Sequence, residues 1–378
     1  MAATRFLREW IHEPYAPSFQ TGVSMHSHTL HSRESLDFIY KFASRSPLIK
    51  AILDRGERKY RNHHGRALDL QNGWWTPPLG PSDAYRVEAR QIEQLGMRPI
   101  VSLTDHDDIE APIALRTVEP NLNIPVSVEW TVPYGRTFFH IGLHNLPALE
   151  ARDILKVLEA YTADPAEPVL TGILSWLRTV PGLLVVFNHP MWDEMGVGER
   201  VHQDAAAKFL RTYRRYVHAV EMNGLRPWSE NRLAIRFADD FDKPVVAGGD
   251  RHALDPNAVL NLSNAKNFEE FVDEIKDGWS TVRIAAAYRQ SHNWRITRNV
   301  VETLQPYEGH RYGWIEWIDR EFYQYPDGTV LSFRQIWGQK PPTVIRAFDA
   351  SMRVARTGML RNAVHNLCMR LPQTVDSI

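Results

Sequence analysis

The chain has 378 residues, 43% of them hydrophobic, which excludes collagen-like and disordered classes and provides for one large core with an appendage of about 100 residues. Lys+Arg number 44 and Asp+Glu 45, a formal net charge of −1, so no global field favours nucleic acid or an anionic membrane, although local basic patches stay open. There is 1 cysteine, which excludes an intrachain disulfide, and neither an apolar leader in MAATRFLREW nor a membrane-length run is present, so a cytoplasmic protein is expected.

The first twenty residues, with Pro14 and Pro17, read as an irregular lead-in. Gly22 to Thr29 is a short apolar run closing on MHSHTLH. As a strand it puts His26 and His28 on one side, because side chains alternate faces with period two. That is a metal-ligand spacing, and equally that of two solvated histidines at a polar strand end. Glu34 to Arg45 fits one helix face through Leu36, Ile39, Tyr40 and Phe42. Residues 46–81, basic and turn-rich before Trp74, Trp75 and several prolines, are expected to form an irregular insertion. It is either a lid or substrate wall, or a surface loop without a role. Trp74 and Trp75 either stack on a base or sugar or pack this loop onto the domain.

Ser82 as N-cap and Gly96 at C′ delimit a helix that feeds the strand Pro99 to Asp107. Further strands are expected at 125–131, 137–144, 183–190, 217–223 and 244–252. Helices are expected at 149–161, 170–179, 205–216, 229–241 and 267–277. Seven strands with helical patterns between them argue for βα units in a parallel sheet or barrel, whose C-terminal strand ends converge on one site. The runs repeatedly end in ligand-type residues. From Ala285 the alternation stops, and WRITRNVVETL and FDASMRVARTGMLRNAVHNLCMRL read as helices around an aromatic stretch. The expected division is therefore 1–284 for the main domain and 285–378 for an accessory, mainly helical region. Arg353, Arg356, Arg361 and Arg370 there either hold a phosphate-bearing ligand or partner, or form a solvated face or dimer contact.

In order along the chain stand His26-Ser-His28, Leu103-Thr-Asp105-His106-Asp107, Glu129, His140, His189 in FNHP, and Asp250-Arg251-His252. This ordered set resembles the PHP family, the polymerase and histidinol phosphatase domains, over most of Gly22 to about Arg283. The resemblance implies a distorted (β/α)7 barrel, here with a C-terminal helical extension, and a site of two or three divalent metal ions, Zn, Mn or Fe. The metal ligands it implies are His26, His28, Glu34, His106, Glu129, His140, His189, Asp250 and His252, donor types that suit those ions. Here the chain departs from the family pattern, which has Asp or His at the place held by Arg33 or Glu34; if neither residue ligates, two metals are expected rather than three. Asp105 is the catalytic candidate, for proton transfer, with structural hydrogen bonding the alternative. Arg33, Arg226 and Arg251 are candidates for holding substrate phosphate, or are surface arginines paired with carboxylates.

The implied activity is that of a metal-dependent phosphoesterase cleaving a small phosphorylated substrate or nucleotide with a metal-bridged hydroxide. Metal-dependent amide or lactone hydrolysis, and a non-catalytic metal-stabilised module, are the alternatives. Neither a membrane nor polymeric nucleic acid is an expected partner, and a homo-oligomer through the C-terminal helices stays open.

Overall fold

The computed structural model describes residues 3–11, 19–36, 72–310 and 312–338, with a few isolated positions outside those ranges. The elements begin with β1 (Ala3–Arg8), β2 (Thr21–Ser24), β3 (Glu34–Ser35), β4 (Gly73–Trp75), α1 (Pro81–Gln94), β5 (Arg98–Val101) and α2 (Glu110–Val118). They continue with β6 (Val126–Tyr134), β7 (Thr137–Leu146), α3 (Ala151–Ala163), α4 (Glu167–Leu177), β8 (Leu184–Asn188), α5 (Glu199–Tyr213), β9 (Ala219–Asn223), α6 (Trp228–Asp240) and β10 (Val245–Gly248). The chain then forms β11 (Val259–Ser263), α7 (Phe268–Lys276), β12 (Trp279–Ile284), α8 (His292–Thr303), β13 (Glu321–Gln324), β14 (Val330–Ser332) and α9 (Phe333–Trp337). No described helix is long and apolar enough to cross a membrane.

This is a mixed α/β protein. Two five-stranded sheets run β1-β12-β11-β2-β5 and β10-β9-β8-β7-β6, and a third, of four strands, runs β14-β13-β4-β3. Seven of the strands answer to the seven expected runs, but the parallel order does not hold throughout. β6 and β7 are antiparallel because only a tight turn at Gly135 (φ 63°) joins them, too short for the crossover that parallel strands need. β11 is antiparallel to both of its neighbours. Residues 3–8, expected to be irregular, form β1, which pairs in parallel with β12. The helix expected from Glu34 begins instead with the strand residues of β3 and a bend at Leu36, and residues 37–45 lie outside the described residues.

The two five-stranded sheets face one another across Val23, Ile100, Leu184, Val186, Ala219 and Val246, all buried. A larger apolar core lies between β6 to β10 and the helices outside them, with Trp130, Phe187, Phe209 and Tyr213 at its centre. Beyond the strand ends the sheets touch through single parallel bridges, His106 to Glu129 and Ser27 to Arg251. Among the described residues the strands thus form no closed hydrogen-bonded barrel; isolated bridges tie the sheets where the expected ligands stand.

The third sheet joins distant parts of the sequence. β13 pairs antiparallel with β4, and β4 with β3. Residues after Ala285 therefore contribute strands as well as the helices α8 and α9. The long helix expected over 348–371 falls, apart from Ala350, outside the described residues.

Candidate metal centre

Glu129 sits at the middle of a buried set of histidines. Its Oε2 is 2.9 Å from His26 Nε2, 3.3 Å from His28 Nε2 and 3.2 Å from His106 Nδ1. Its Oε1 is 3.2 Å from His189 Nε2 and 3.6 Å from His140 Nδ1. Asp250 Oδ1 approaches His28 Nε2 to 3.4 Å and His26 Nε2 to 3.7 Å. On the far side, Glu34 lies 3.1 Å from His252 Nε2 and 3.5 Å from His106 Nε2. All nine expected ligand residues thus meet in one neighbourhood. Side-chain exposure is 17% at His106 and 11% at Glu34 and His252, against 0% at His28 and Glu129, so the cluster opens on the His106 side.

The backbone reaches this arrangement by a different route from the one expected. β2 ends at Ser24, so His26 and His28 are not aligned by a pleat. His26 has φ 63°, His189 φ 25° and Asp250 φ 55°. Left-handed conformations in residues other than glycine cost on the order of 1 kcal/mol or more each and collect at functional sites. The neighbouring bridges and buried hydrogen bonds hold them: Asp250 N donates to His26 O at 2.7 Å, and His28 N to Arg251 O at 2.9 Å.

Four buried atoms of the cluster, His26 Nε2, His28 Nε2, His106 Nδ1 and Glu129 Oε2, stand close together, the nitrogens 2.9, 3.3 and 3.2 Å from the oxygen, yet none of these contacts has hydrogen-bond geometry. Buried polar atoms are ordinarily satisfied, so four orphans within one set of imidazole and carboxylate donors fit divalent metal ions. The opposite ring nitrogens are anchored. His26 Nδ1 lies 3.0 Å from both oxygens of Glu221, and His252 Nδ1 donates to Asp250 O at 2.9 Å. Such anchors fix the tautomer that leaves Nε2 as a lone pair. Three overlapping groups have their donor atoms within 4.8 Å of one another: His26, His28 and Glu129; His106, Glu129 and His140; and His28, Glu34, His106 and His252.

The electrostatics are those of a cation site. Burial works to raise the Glu129 carboxyl, but the imidazoles of His26, His140 and His106 hold it well below the usual carboxylate range. Glu34 is likewise held low against burial by His252 and His106, and Asp250 by His28 and His26. Burial pulls His26 down, yet Glu129 and Glu221 carry it well above its ordinary value. His140 goes the other way, lowered by burial despite Glu129 and further by His106 and His189. Protons on such histidines are what entering metal ions displace.

The remaining expected residues divide. Arg226 reaches the site: its guanidinium lies 3.3 Å from the Trp192 ring centroid, Nη2 is 3.4 Å from Asp250 Oδ2, and Nε is buried without a partner. Arg251 does not face the cluster. Its guanidinium is buried on Glu88 (2.7 Å), Ala253 O (2.9 Å) and His28 O (3.4 Å). Arg33 is exposed, 5.1 Å over the Trp74 ring. Asp105 is taken up by Thr29, accepting from its amide and, at 2.7 Å, from its hydroxyl; burial pushes its carboxyl up to about 7.

Directly opposed residues of an antiparallel ladder share a face. Glu34, Trp75 and Glu321 therefore form one row across β3, β4 and β13. Trp75 closes the site beside His252, with ring centroids 5.8 Å apart. Trp74 lies on the other face, stacked on Phe322 at 5.7 Å. One tryptophan of the pair thus walls the cluster, and its neighbour packs the sheet.

Sequence reasoning missed Glu221, Asn188 and Trp192. Asn188 donates to Glu129 Oε1 at 2.9 Å, and Trp192 meets His189 edge-on, 5.3 Å between centroids. The strand run ending in Glu221-Met-Asn223 carried the signal for Glu221, since it stops on polar residues as its neighbours do.

No family model and no curated protein matches the chain. Among solved structures, an amidohydrolase from Chromobacterium violaceum is 15% identical, with 47% of this chain and 84% of that one covered and a TM-score of 0.32. A protein named as a metal-dependent phosphoesterase from Bifidobacterium adolescentis is 14% identical, covering 70% and 98%, at a TM-score of 0.36. PsfC from Pseudomonas syringae is 14% identical, covering 59% and 89%, at 0.39. Likenesses this slight leave the chemistry to be argued from the site's own atoms.

Proposed function

We propose that this chain is a metal-dependent hydrolase, and that its activity is the cleavage of small phosphate esters. The observation that carries the reading is the set of nine ligand-type side chains made of Glu129 and eight neighbours, with four donor atoms left without a hydrogen bond. The fold reading that accompanies it is a distorted β/α barrel whose walls are the two five-stranded sheets. Bound divalent ions would supply Lewis acidity and bring the pKa of a water toward neutrality.

The protein's own part is to hold, orient and enclose. Glu129 presents one oxygen to His26, His28 and His106 and the other to His140 and His189, so it could help to hold more than one ion; Glu34 and His252 would hold another together with His28 and His106. Arg226 favours phosphate over a neutral carbonyl substrate, because its planar guanidinium is fixed by Trp192 and Asp250 while Nε stays unpaired. Trp75 excludes water on the His252 side. Asp105 acts indirectly, keeping Thr29 and the loop carrying His28 in place.

The test is a panel of phosphate monoesters assayed with Mn²⁺, Zn²⁺ or Fe²⁺. Turnover should vanish in His26→Ala and Asp250→Ala, and Arg226→Lys should raise KM more than it lowers kcat. Hydrolysis that survives both ligand substitutions refutes the mechanism. Cleavage of amides or lactones with silence on phosphate esters moves the assignment to carbonyl hydrolysis.

A further inference from the structure

The loop between β8 and α5 is built around Asp193, whose carboxylate accepts from the amides of Gly196, Val197 and Gly198 at 2.8, 3.0 and 2.8 Å. This rigid turn presents Trp192 and Glu194 to the metal-ligand cluster. A small cavity with room for about one water opens there, lined among others by Phe138, His140, His189, Trp192 and Glu194. The half-buried Glu194 carboxyl makes no hydrogen bond or ion pair among the described residues. His106, His189, Arg226 and Glu34 act on it electrostatically, and His140 and His202 line the same cavity.

Two opposite charges therefore flank one side of the cluster. Arg226, flat on Trp192, offers a guanidinium nitrogen without a partner, and Glu194 offers a carboxyl without one. An oxyanion is drawn to the first and repelled by the second. A carboxylate among aromatic rings is instead the setting that recognises an ammonium group, by charge-assisted hydrogen bonding and by the negative faces of the rings. Room for about one water is room for an ammonium head group, which is of similar size.

We propose that Glu194 is a specificity-determining residue that selects substrates carrying a primary ammonium a few bonds from the scissile phosphate ester. The assignment rests on the phosphoesterase reading for its reaction, while the ammonium site itself is a matter of binding.

The metal-loaded, full-length protein should cleave 2-aminoethyl phosphate with a kcat/KM about tenfold or more above that for ethyl phosphate, the scale of a hydrogen bond between charged groups. Glu194→Gln should bring that ratio to within about twofold of one, and Glu194→Asp, which keeps the charge, should retain part of it. A wild-type ratio near one overturns the assignment. So does a ratio that survives Glu194→Gln, because a carboxylate that only offsets metal charge affects both esters alike. If neither these esters nor an aryl phosphate is cleaved, the phosphoesterase reading has failed by itself. Calorimetric binding of 2-aminoethylphosphonate against ethylphosphonate then decides the ammonium site. Tighter binding of the amine that is lost in Glu194→Gln supports it, and equal affinities overturn it.

Discussion

Replacing Arg251 with methionine removes the cation of a fully enclosed ion pair. Arg251 is 3% exposed and Glu88 0%, with Nε to Oε1 at 2.7 Å. Without the guanidinium, Glu88 keeps only neutral donors, Ser24 Oγ at 3.0 Å, Asn257 N at 3.2 Å and Ser27 Oγ at 3.5 Å, around a carboxylate with no cation beside it. Breaking a buried pair from one side costs about 3–5 kcal/mol, whereas replacing both partners by apolar groups is often near neutral. Urea unfolding followed by tryptophan fluorescence should therefore show Arg251→Met less stable by about 3–5 kcal/mol, with Arg251→Met/Glu88→Leu recovering most of the loss. Metal retention should fall as well, because Arg251 also donates to the carbonyl of His28. A phosphate-binding arginine behaves differently, raising KM at unchanged stability. A loss below about 1 kcal/mol together with a raised KM would show that the buried-pair reasoning is wrong.

Elemental analysis of protein loaded with Zn²⁺, Mn²⁺ or Fe²⁺ should find about two or three ions per chain, and less than one in Glu129→Ala, which removes the shared carboxylate; equal metal content in the two proteins counts against the site. Gly248→Ala should destabilise by about 1–3 kcal/mol and weaken metal retention in a chelator competition. The new Cβ would stand 2.2 Å from Glu221 Oε1, displacing the carboxylate that anchors His26; an unchanged chelator midpoint contradicts this. The buried His144 has Nδ1 2.8 Å from Ser102 Oγ and is pushed down to about 3 by burial and by His26. Its folded value lies below its ordinary one of 6.5, so between those two values the unfolded chain binds the extra proton. The stability this group contributes is complete above about pH 6.5 and is lost as pH falls toward 3. The metal-free His144→Gln protein should thus lose stability less steeply in acid than the wild type, by about 1.4 kcal/mol per pH unit; equal slopes in urea titrations at several pH values exclude it.

That the candidate ligands meet was legible because most of them recur at the ends of apolar runs, a pattern that survives without knowing how the strands pair. In Asp250-Arg251-His252 the two candidate ligands face the cluster while the arginine between them turns to Glu88, and Asp105 turns to Thr29 beside His106; the strands end at Gly248 and Val101, so no pleat sets these directions. Charge made Arg251 a candidate for holding phosphate and its place beside His106 made Asp105 one for proton transfer; in the structure Arg251 is engaged by Glu88 and Asp105 by Thr29. Glu221 stayed hidden because it binds a ligand rather than the candidate metal position. The pairing of Gly73–Trp75 with Glu321–Tyr323 could not be read at all. The strands are two to four residues long, and some 250 residues separate the partners. Runs that short carry no periodicity, and their register depends on tertiary contacts.

That long-range pairing bears on how the chain tolerates being cut. Were the polypeptide severed after Ile284, β4 would lose its neighbour and present bare amide and carbonyl groups along one margin, a template for recruiting strands from other molecules. A shortened protein would thus be prone to self-association, and Glu34 would be left on a two-strand ribbon too small to stand alone in water. Residues far down the sequence would in that way decide whether one acidic donor near the N-terminus keeps its position.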